Sequence, residues 1–186
     1  TKNPVFDEAG QVIGLVGISK DITELKREQE KTAFVADHDD LTNMLNRRAF
    51  FQYGQKLLAA AERDHSSIAV LYMDLDKFKQ VNDRFSHMEG DKVLAAFGQI
   101  IQNLTREADL SARFGGDEFV VLVKQPEKGR EAAIELARRV IAAVDQAKKC
   151  LKGCSCSIGI AEHTATEALD VLVQRADKAM YQAKVD

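Results

Sequence analysis

Apolar positions fall along the chain in two rhythms, one of period two and one near 3.6, and their order predicts the elements. Residues 4–20 read as two short strands around a turn: Val5 and Phe6 precede Asp7-Glu8-Ala9-Gly10, and Val12, Gly14, Val16 and Ile18 alternate with Ile13, Leu15 and Gly17 after it. Both faces of the second strand are apolar or glycine, which suits a strand buried within a larger sheet. A lone hairpin is marginal in water, so residues 1–20 are assigned to the last two strands of an upstream domain. Asp21-Ile22-Thr23-Glu24 has the form of a helix start, an oxygen-bearing cap followed three residues later by Glu. The polar run after it has only Ile22, Leu25, Ala33 and Phe34 as apolar points. A helix over 21–37 that bridges two domains and a solvated surface helix fit that pattern equally well.

The main domain is placed at residues 38–186. A helix from about Asn46 to Ala61 would bury Phe50, Leu57, Leu58 and Ala61. The β-branched-rich run over 67–75, SIAVLYMDL, predicts a central strand. A short helix over 77–83 follows, then a longer one carrying Val93, Leu94, Phe97, Ile100, Ile101 and Leu104. Strands 109–114 and 117–123 form a hairpin about a Gly115-Gly116 turn, a pair suited to positive φ. Helix 129–148, strand 154–161 and helix 167–184 close the chain. One hairpin inside the order α-α-β-α-α-β-β-α-β-α favours an α+β fold with a mixed or antiparallel sheet over a doubly wound parallel one.

Composition narrows the function classes. At 186 residues, 45% hydrophobic and 30% charged, the chain is neither disordered nor fibrous. No apolar run approaches the ~18 residues of a membrane span, so no membrane contact is expected of this segment. With 26 basic against 29 acidic residues and a net charge of −3, nothing points to nucleic acid. The opening TKNPVFDEAG lacks the layout of a secretion signal. Cys150, Cys154 and Cys156 are an odd count near one end and form no disulfide framework. A cytoplasmic location is expected, whether or not the full-length protein is tethered to a membrane.

Three carboxylates stand out by placement. Asp74 ends an apolar strand, and Asp117 and Glu118 follow a Gly-Gly pair at the start of another. Carboxylates that converge need protons or a metal to coexist. Hard oxygen ligands without a His/Cys set favour Mg²⁺, which binds through one or two carboxylates plus substrate phosphates. Metal-assisted phosphoryl transfer is the chemistry this suggests. Acids at hairpin turns are as a rule solvated, and on the residues alone both readings stay open.

Arg113-Phe114-Gly115-Gly116-Asp117-Glu118-Phe119 contains the signature GGDEF, and the chain resembles a GGDEF-domain diguanylate cyclase. His38-Asp39-Asp40-Leu41-Thr42-Asn43-Met44-Leu45-Asn46-Arg47 is similar to the family's opening motif. The run from Asp74 to Asp83 and His87-Met88-Glu89-Gly90-Asp91 are similar to its metal, phosphate and base segments. Ser157 to Ala161 and Ala176 to Lys184 resemble its closing strand and helix. Residues 1–20 and Asp21-Ile22-Thr23-Glu24 resemble the end of a PAS sensor domain and its signalling helix.

The resemblance implies a fold like the nucleotidyl cyclase and polymerase palm, with a central, mostly antiparallel sheet flanked by helices. It implies condensation of two GTP into cyclic di-GMP with loss of two pyrophosphates, by a homodimer using Mg²⁺, or Mn²⁺ in its place. Asp74, Glu118 and the carbonyl of Leu75 would be metal ligands. Asp117 would assist the metal and is the candidate base for the 3′-hydroxyl. Gly115 and Gly116 would let the backbone approach the nucleotide. The backbone around Lys77, Phe78 and Lys79 would meet phosphates, with Lys79 and Lys184 adding positive charge. The Phe78 side chain itself is assigned to the core. Asn82 and Asp91 would read the guanine edge. Arg106 and Asp109 match the family's RxxD inhibitory motif for bound cyclic di-GMP, and Arg113 is assigned to the same site.

Other residues receive structural roles: Asp76 as cap of the helix at Lys77, His87 as a loop-holding hydrogen-bonder, Cys154 and Cys156 as small packed residues. Three departures from the family pattern are present. Asn43 and Ser86 replace usual glycines, with Asn the best substitute in a left-handed turn. The usual Gly-Arg-Asn does not follow Lys184 within these residues, so one basic phosphate contact is not supplied by them. The rivals to an active cyclase are a catalytically silent cyclic di-GMP receptor, against which the intact acids argue, and an enzyme making a mixed cyclic dinucleotide, against which Asn82 and Asp91 argue.

Overall fold

The computed structural model describes residues 2–17, 20–125, 128–164 and 166–185, and the chain forms two compact units, Thr1–Ala36 and Asp37–Asp186. In the first unit β1 (Lys2–Phe6) pairs antiparallel with β2 (Val12–Gly17). Asp7 Oδ1 closes the turn by accepting from the amides of Ala9 and Gln11. Ile18, expected in the second strand, lies outside the described residues. Helix α1 (Thr23–Asp37) follows, and Asp21 Oδ1 accepts from the Thr23 amide at 2.9 Å, as the cap pattern predicts.

The second unit is a five-stranded sheet in the order β3-β5-β6-β4-β7 with helices on both faces. Its elements are β3 (Leu45–Asn46), α2 (Arg47–Asp64), β4 (Ser67–Asp76), α3 (Phe78–Arg84), α4 (His87–Leu104), β5 (Leu110–Gly115), β6 (Glu118–Gln125), α5 (Gly129–Gln146), β7 (Ser155–Glu162) and α6 (Leu169–Val185). Only β3 and β5 run parallel; every other pair is antiparallel, so the fold is the α+β class with a mixed sheet. The two-residue β3 escaped the hydrophobic pattern, which needs more than two residues to show a period.

β4, expected at the centre of the sheet, lies between β6 and β7, one place from the edge, and its two faces feed two cores. Ile68, Val70 and Tyr72 pack with Phe50, Leu172 and Met180 from α2 and α6. Ala69, Leu71, Met73 and Leu75 pack with Phe97, Ile101 and Val140 from α4 and α5. Burial on both sides explains the continuous apolar run. The alternation then puts Asp74 and Asp76 on the α2/α6 face at the strand's C-terminal end. α6 lies against β7 with no room between them. A Cβ at Gly159 would run into the Ala176 carbonyl and the Met180 amide.

Two sequence departures find their explanation here. Asn43 sits at φ +55°, the left-handed region where Asn substitutes best for glycine. Ser86 has φ 169°, extended backbone open to any residue, and its Oγ caps α4 by accepting from the Glu89 amide.

Candidate functional site

The site is built where β4 and β6 end side by side. Asp74 and Glu118 are direct cross-strand partners, with Ser157 of β7 on Asp74's other side. Like charges placed opposite each other destabilise a sheet unless something positive joins them. Asp74 is 8% exposed and, with Thr42, one of two buried polar residues among those described. Lys184 Nζ, from the last turn of α6, lies 2.5 Å from Asp74 Oδ1. The approach is off the hydrogen-bond direction, so Oδ1 is sealed from water without a proper donor.

Burial pushes the Asp74 carboxyl above the ordinary carboxylate range, against the pull of Lys184 and with the help of Asp117 and Asp76. Glu118 is raised as well, first by burial and then by the charges of Asp177, Asp74 and Asp117, while the Tyr72 hydroxyl acts the other way. Tyr72 is itself raised by burial and by Glu118 and Asp177. Sequence reading missed Tyr72 and Asp177. The available signal for Tyr72 was a hydroxyl two residues before Asp74, on the same strand face.

The hairpin turn differs from the expectation by one residue. Gly115 pairs with Glu118 and belongs to β5, so the loop is Gly116-Asp117, and a register shift between Arg113 and Gly115 accommodates it. Both glycines are required by backbone, at φ +143° and +52°, and open space surrounds each Cβ position. The Leu75 amide donates to the Asp117 carbonyl, tying the turn to β4.

Arg113 is engaged beside the turn. Its guanidinium bridges both oxygens of Asp39 at 3.1 Å and donates to the Gly116 carbonyl at 3.1 and 2.8 Å. Arg113 does not line the cavity at Arg106 and Asp109. Those two line a cavity of about 70 Å³ with Arg139 and Glu135 of α5. Asp109 Oδ2 accepts from the Arg106 amide, and its Oδ1 is buried without a partner. Arg139 was invisible to sequence reading, because only the packing of α5 brings it there.

Asp76 does not cap α3. Its two oxygens accept from Ser155 and Ser157 at 2.7 Å each, and Lys77 at φ +62° precedes the helix without a side-chain cap. A cleft of about 420 Å³ opens here between Asp76, Lys77, Ser155, Ser157, Ala183 and Lys184. Lys79 is exposed, and the Phe78 side chain is in the core, as expected. Asn82 Oδ1 is buried and unpartnered against Gly90, the neighbour of exposed Asp91. His87 is exposed at the start of α4 and its ring makes no hydrogen bond among the described residues, contrary to its assigned role. Cys154 is buried ahead of β7, and Cys156 packs on the core with its thiol pushed up to about 12, chiefly by burial.

Among the described residues no three His, Cys, Asp or Glu side chains form a ready metal cluster. A Mg²⁺-class ion does not need one, since one or two carboxylates and substrate phosphates suffice. The sealed Asp74 oxygen opposite Glu118, in an all-oxygen donor set, fits such an ion.

Comparison with known proteins places the chain in a family. The GGDEF family model, described as "Diguanylate cyclase, GGDEF domain", matches residues 36–186. Diguanylate cyclase DgcM of Escherichia coli (strain K12) is 39% identical over 175 residues, covering 91% of this chain and 41% of that protein. Diguanylate cyclase DgcS of Shewanella oneidensis is 37% identical over 158 residues, covering 84% and 52%. The chain thus spans about half the length of these relatives or less. The coiled coil and GGDEF domain of DgcB from Caulobacter crescentus, solved in complex with c-di-GMP, superposes with a TM-score of 0.81 at 27% identity, covering 88% of each chain.

Proposed function

Because the chain belongs to the GGDEF family of diguanylate cyclases, we propose that it condenses two GTP into cyclic di-GMP and two pyrophosphates. The observation that carries this reading is the opposed pair Asp74 and Glu118, with a sealed carboxylate oxygen beside the Gly116-Asp117 turn.

Asp74, Glu118 and the Leu75 carbonyl would hold a divalent ion of the Mg²⁺ class. When bound, such an ion supplies neutralisation of the phosphate charge. The chain's own groups do the rest. Lys184 and Lys79 meet the triphosphate in the cleft beside Ser155 and Ser157. The oxygen of Asn82, sealed without a donor, awaits the N–H groups of guanine, and Asp91 accepts from the same edge. Asp117, in the loop, takes the proton from the 3′-hydroxyl as that oxygen attacks the α-phosphate of the other GTP and pyrophosphate leaves. Each chain contributes one nucleotide, so the reaction centre is shared by a dimer. Arg106, Asp109 and Arg139 line the cavity that would take cyclic di-GMP as an inhibitor, Arg supplying a planar fork for guanine or phosphate.

We also assign residues 1–20 to the end of an upstream sensor domain of the PAS kind and 21–37 to the helix that relays its state. Support comes from apolar side chains left exposed on the hairpin, Phe6, Val12 and Ile13 at 55, 59 and 65%. No helix among the described residues is long and apolar enough to cross a membrane.

The test is product chromatography after stripping bound nucleotide and adding GTP with Mg²⁺ at several protein concentrations. Cyclic di-GMP formed with a rate steeper than first order in protein supports the dimeric cyclase. Binding of cyclic di-GMP without turnover at any concentration replaces it with a receptor.

A further inference from the structure

A separate cavity of about 90 Å³ lies between α3 and the segment that leads into β7, with Lys77, Arg84 and Phe85 on one wall and Lys152 and Cys154 on the other. Its charge is one-sided. The Arg84 guanidinium and the Lys152 ammonium both stand over the Phe85 ring, 5.4 and 5.2 Å from its centre. Cation–π attraction brings two like charges to one ring, where they repel each other unless an anion joins them. Glu89 answers only Lys152 of the two, at 2.8 Å, and shares its charge with Lys92 at 2.7 Å. Asp76 is held by Ser155 and Ser157. Lys77 and Arg84 have no ion pair among the described residues. The backbone fixes where two of the cations depart, since Lys77 and Lys152 both adopt positive φ, +62° and +52°, a conformation uncommon outside glycine.

The volume suits a phosphoryl group and exceeds the ≈ 30 Å³ share of a water molecule. Lys77 lines both this cavity and the larger cleft that holds Lys184, so the two are neighbours on either side of one lysine. We propose that the cavity is a binding site for a phosphate-class anion, and that its occupant is the inorganic pyrophosphate released in the neighbouring cleft. The choice of pyrophosphate rests on the cyclase reading; the anion site itself does not. Transfer of pyrophosphate across Lys77 clears the triphosphate cleft and gives the product a second holding point on its way to solvent.

Isothermal titration of the chain with sodium pyrophosphate, without GTP or metal, tests this, with sodium phosphate as the second titrant. Replacing both cations, R84Q with K152Q, is expected to weaken pyrophosphate binding at least tenfold, and the single R84Q to give part of that loss with an unchanged circular dichroism spectrum. K56Q, on α2 and lining neither cavity, is expected to change it less than threefold. Unchanged affinity in the double variant, or an equal loss in K56Q, overturns the site. Phosphate binding as tightly as pyrophosphate overturns the assigned occupant. No turnover is needed for these readouts, so a chain that makes no cyclic di-GMP but loses pyrophosphate binding in R84Q/K152Q refutes the cyclase reading and keeps the site.

Discussion

Lys184 Nζ reaches Asp74 Oδ1 at 2.5 Å, so the last turn of α6 closes onto the C-terminal end of β4. The two partners are unequal in their environment: the Asp74 side chain is 11% exposed and that of Lys184 31%. Burial strains the carboxylate more than the ammonium, which predicts stability effects of opposite sign. Lys184→Gln leaves a buried carboxylate uncompensated and should cost about 1–2 kcal/mol, below the usual figure for a fully buried pair because Lys184 is partly solvated. Asp74→Asn removes one of two opposed charges and should melt at or above the wild-type temperature. Each should still lower cyclic di-GMP formation at least about 100-fold. Urea denaturation without nucleotide decides: a clear loss of stability in both variants contradicts the relationship.

The Asp39–Arg113 bridge carries a pH dependence. Burial pushes the Asp39 carboxyl up, but hydrogen bonds from Thr42 and Arg113 outweigh it and hold the group below the ordinary carboxylate value. A depressed folded-state pKa contributes stability above the unfolded pKa, and that contribution is lost as pH falls through the folded one. Asp39→Asn should therefore be less stable than wild type near pH 7, by about 1.5–3 kcal/mol for hydrogen bonds to a charged acceptor. The gap should close in acid, once the wild-type carboxyl is itself protonated. Melting temperatures measured across that range test it, and a gap that widens in acid refutes it.

What could be read from the sequence depended on how local the cause was. Asp74 and Glu118 were visible because one stands at the end of an apolar run and the other at the start of one, and an acid there breaks the pattern. Asn43 was anticipated to turn left-handed for a reason internal to its side chain. The pairing of Arg113 with Asp39 was not legible because Asp39 comes from the segment ahead of β3, whose two residues beside β5 leave no signal. Asp76 resembled a helix cap by position, but the pairing of β4 with β7 supplies two serine hydroxyls that outcompete the helix. The turn moved by one residue because a register shift takes Gly115 into the strand.

Asn82 and Gly90 form a second testable pair. The Asn82 oxygen occupies the space a Cβ at position 90 would need. Gly90→Ala must therefore displace the side chain proposed to read guanine, without adding any group to the nucleotide cleft. The expected result is a KM for GTP raised about tenfold or more, with kcat less affected, the mark of lost binding common to ground and transition state. Asn82→Ala should show the same split. A fall in kcat alone in both variants would remove Asn82 from base recognition.

Gly159 and Gly54 both lie in crowded surroundings, yet they should respond unequally to alanine. At Gly54 the new methyl would meet the Cδ2 end of Leu169, a flexible side chain that can rotate aside. The better helix propensity of alanine, about 1 kcal/mol, then offsets much of the repacking, so Gly54→Ala should stay within roughly 1 kcal/mol of wild type. At Gly159 the methyl would meet the backbone of Ala176 and Met180, which cannot rotate away. α6 as a whole must move off β7, at a cost of about 3 kcal/mol or more. The same displacement carries Lys184 away from Asp74, so turnover should fall in the fraction that still folds. Urea midpoints of the two variants measure the difference, and equal midpoints would mean that the packing of α6 on β7 does not depend on a glycine.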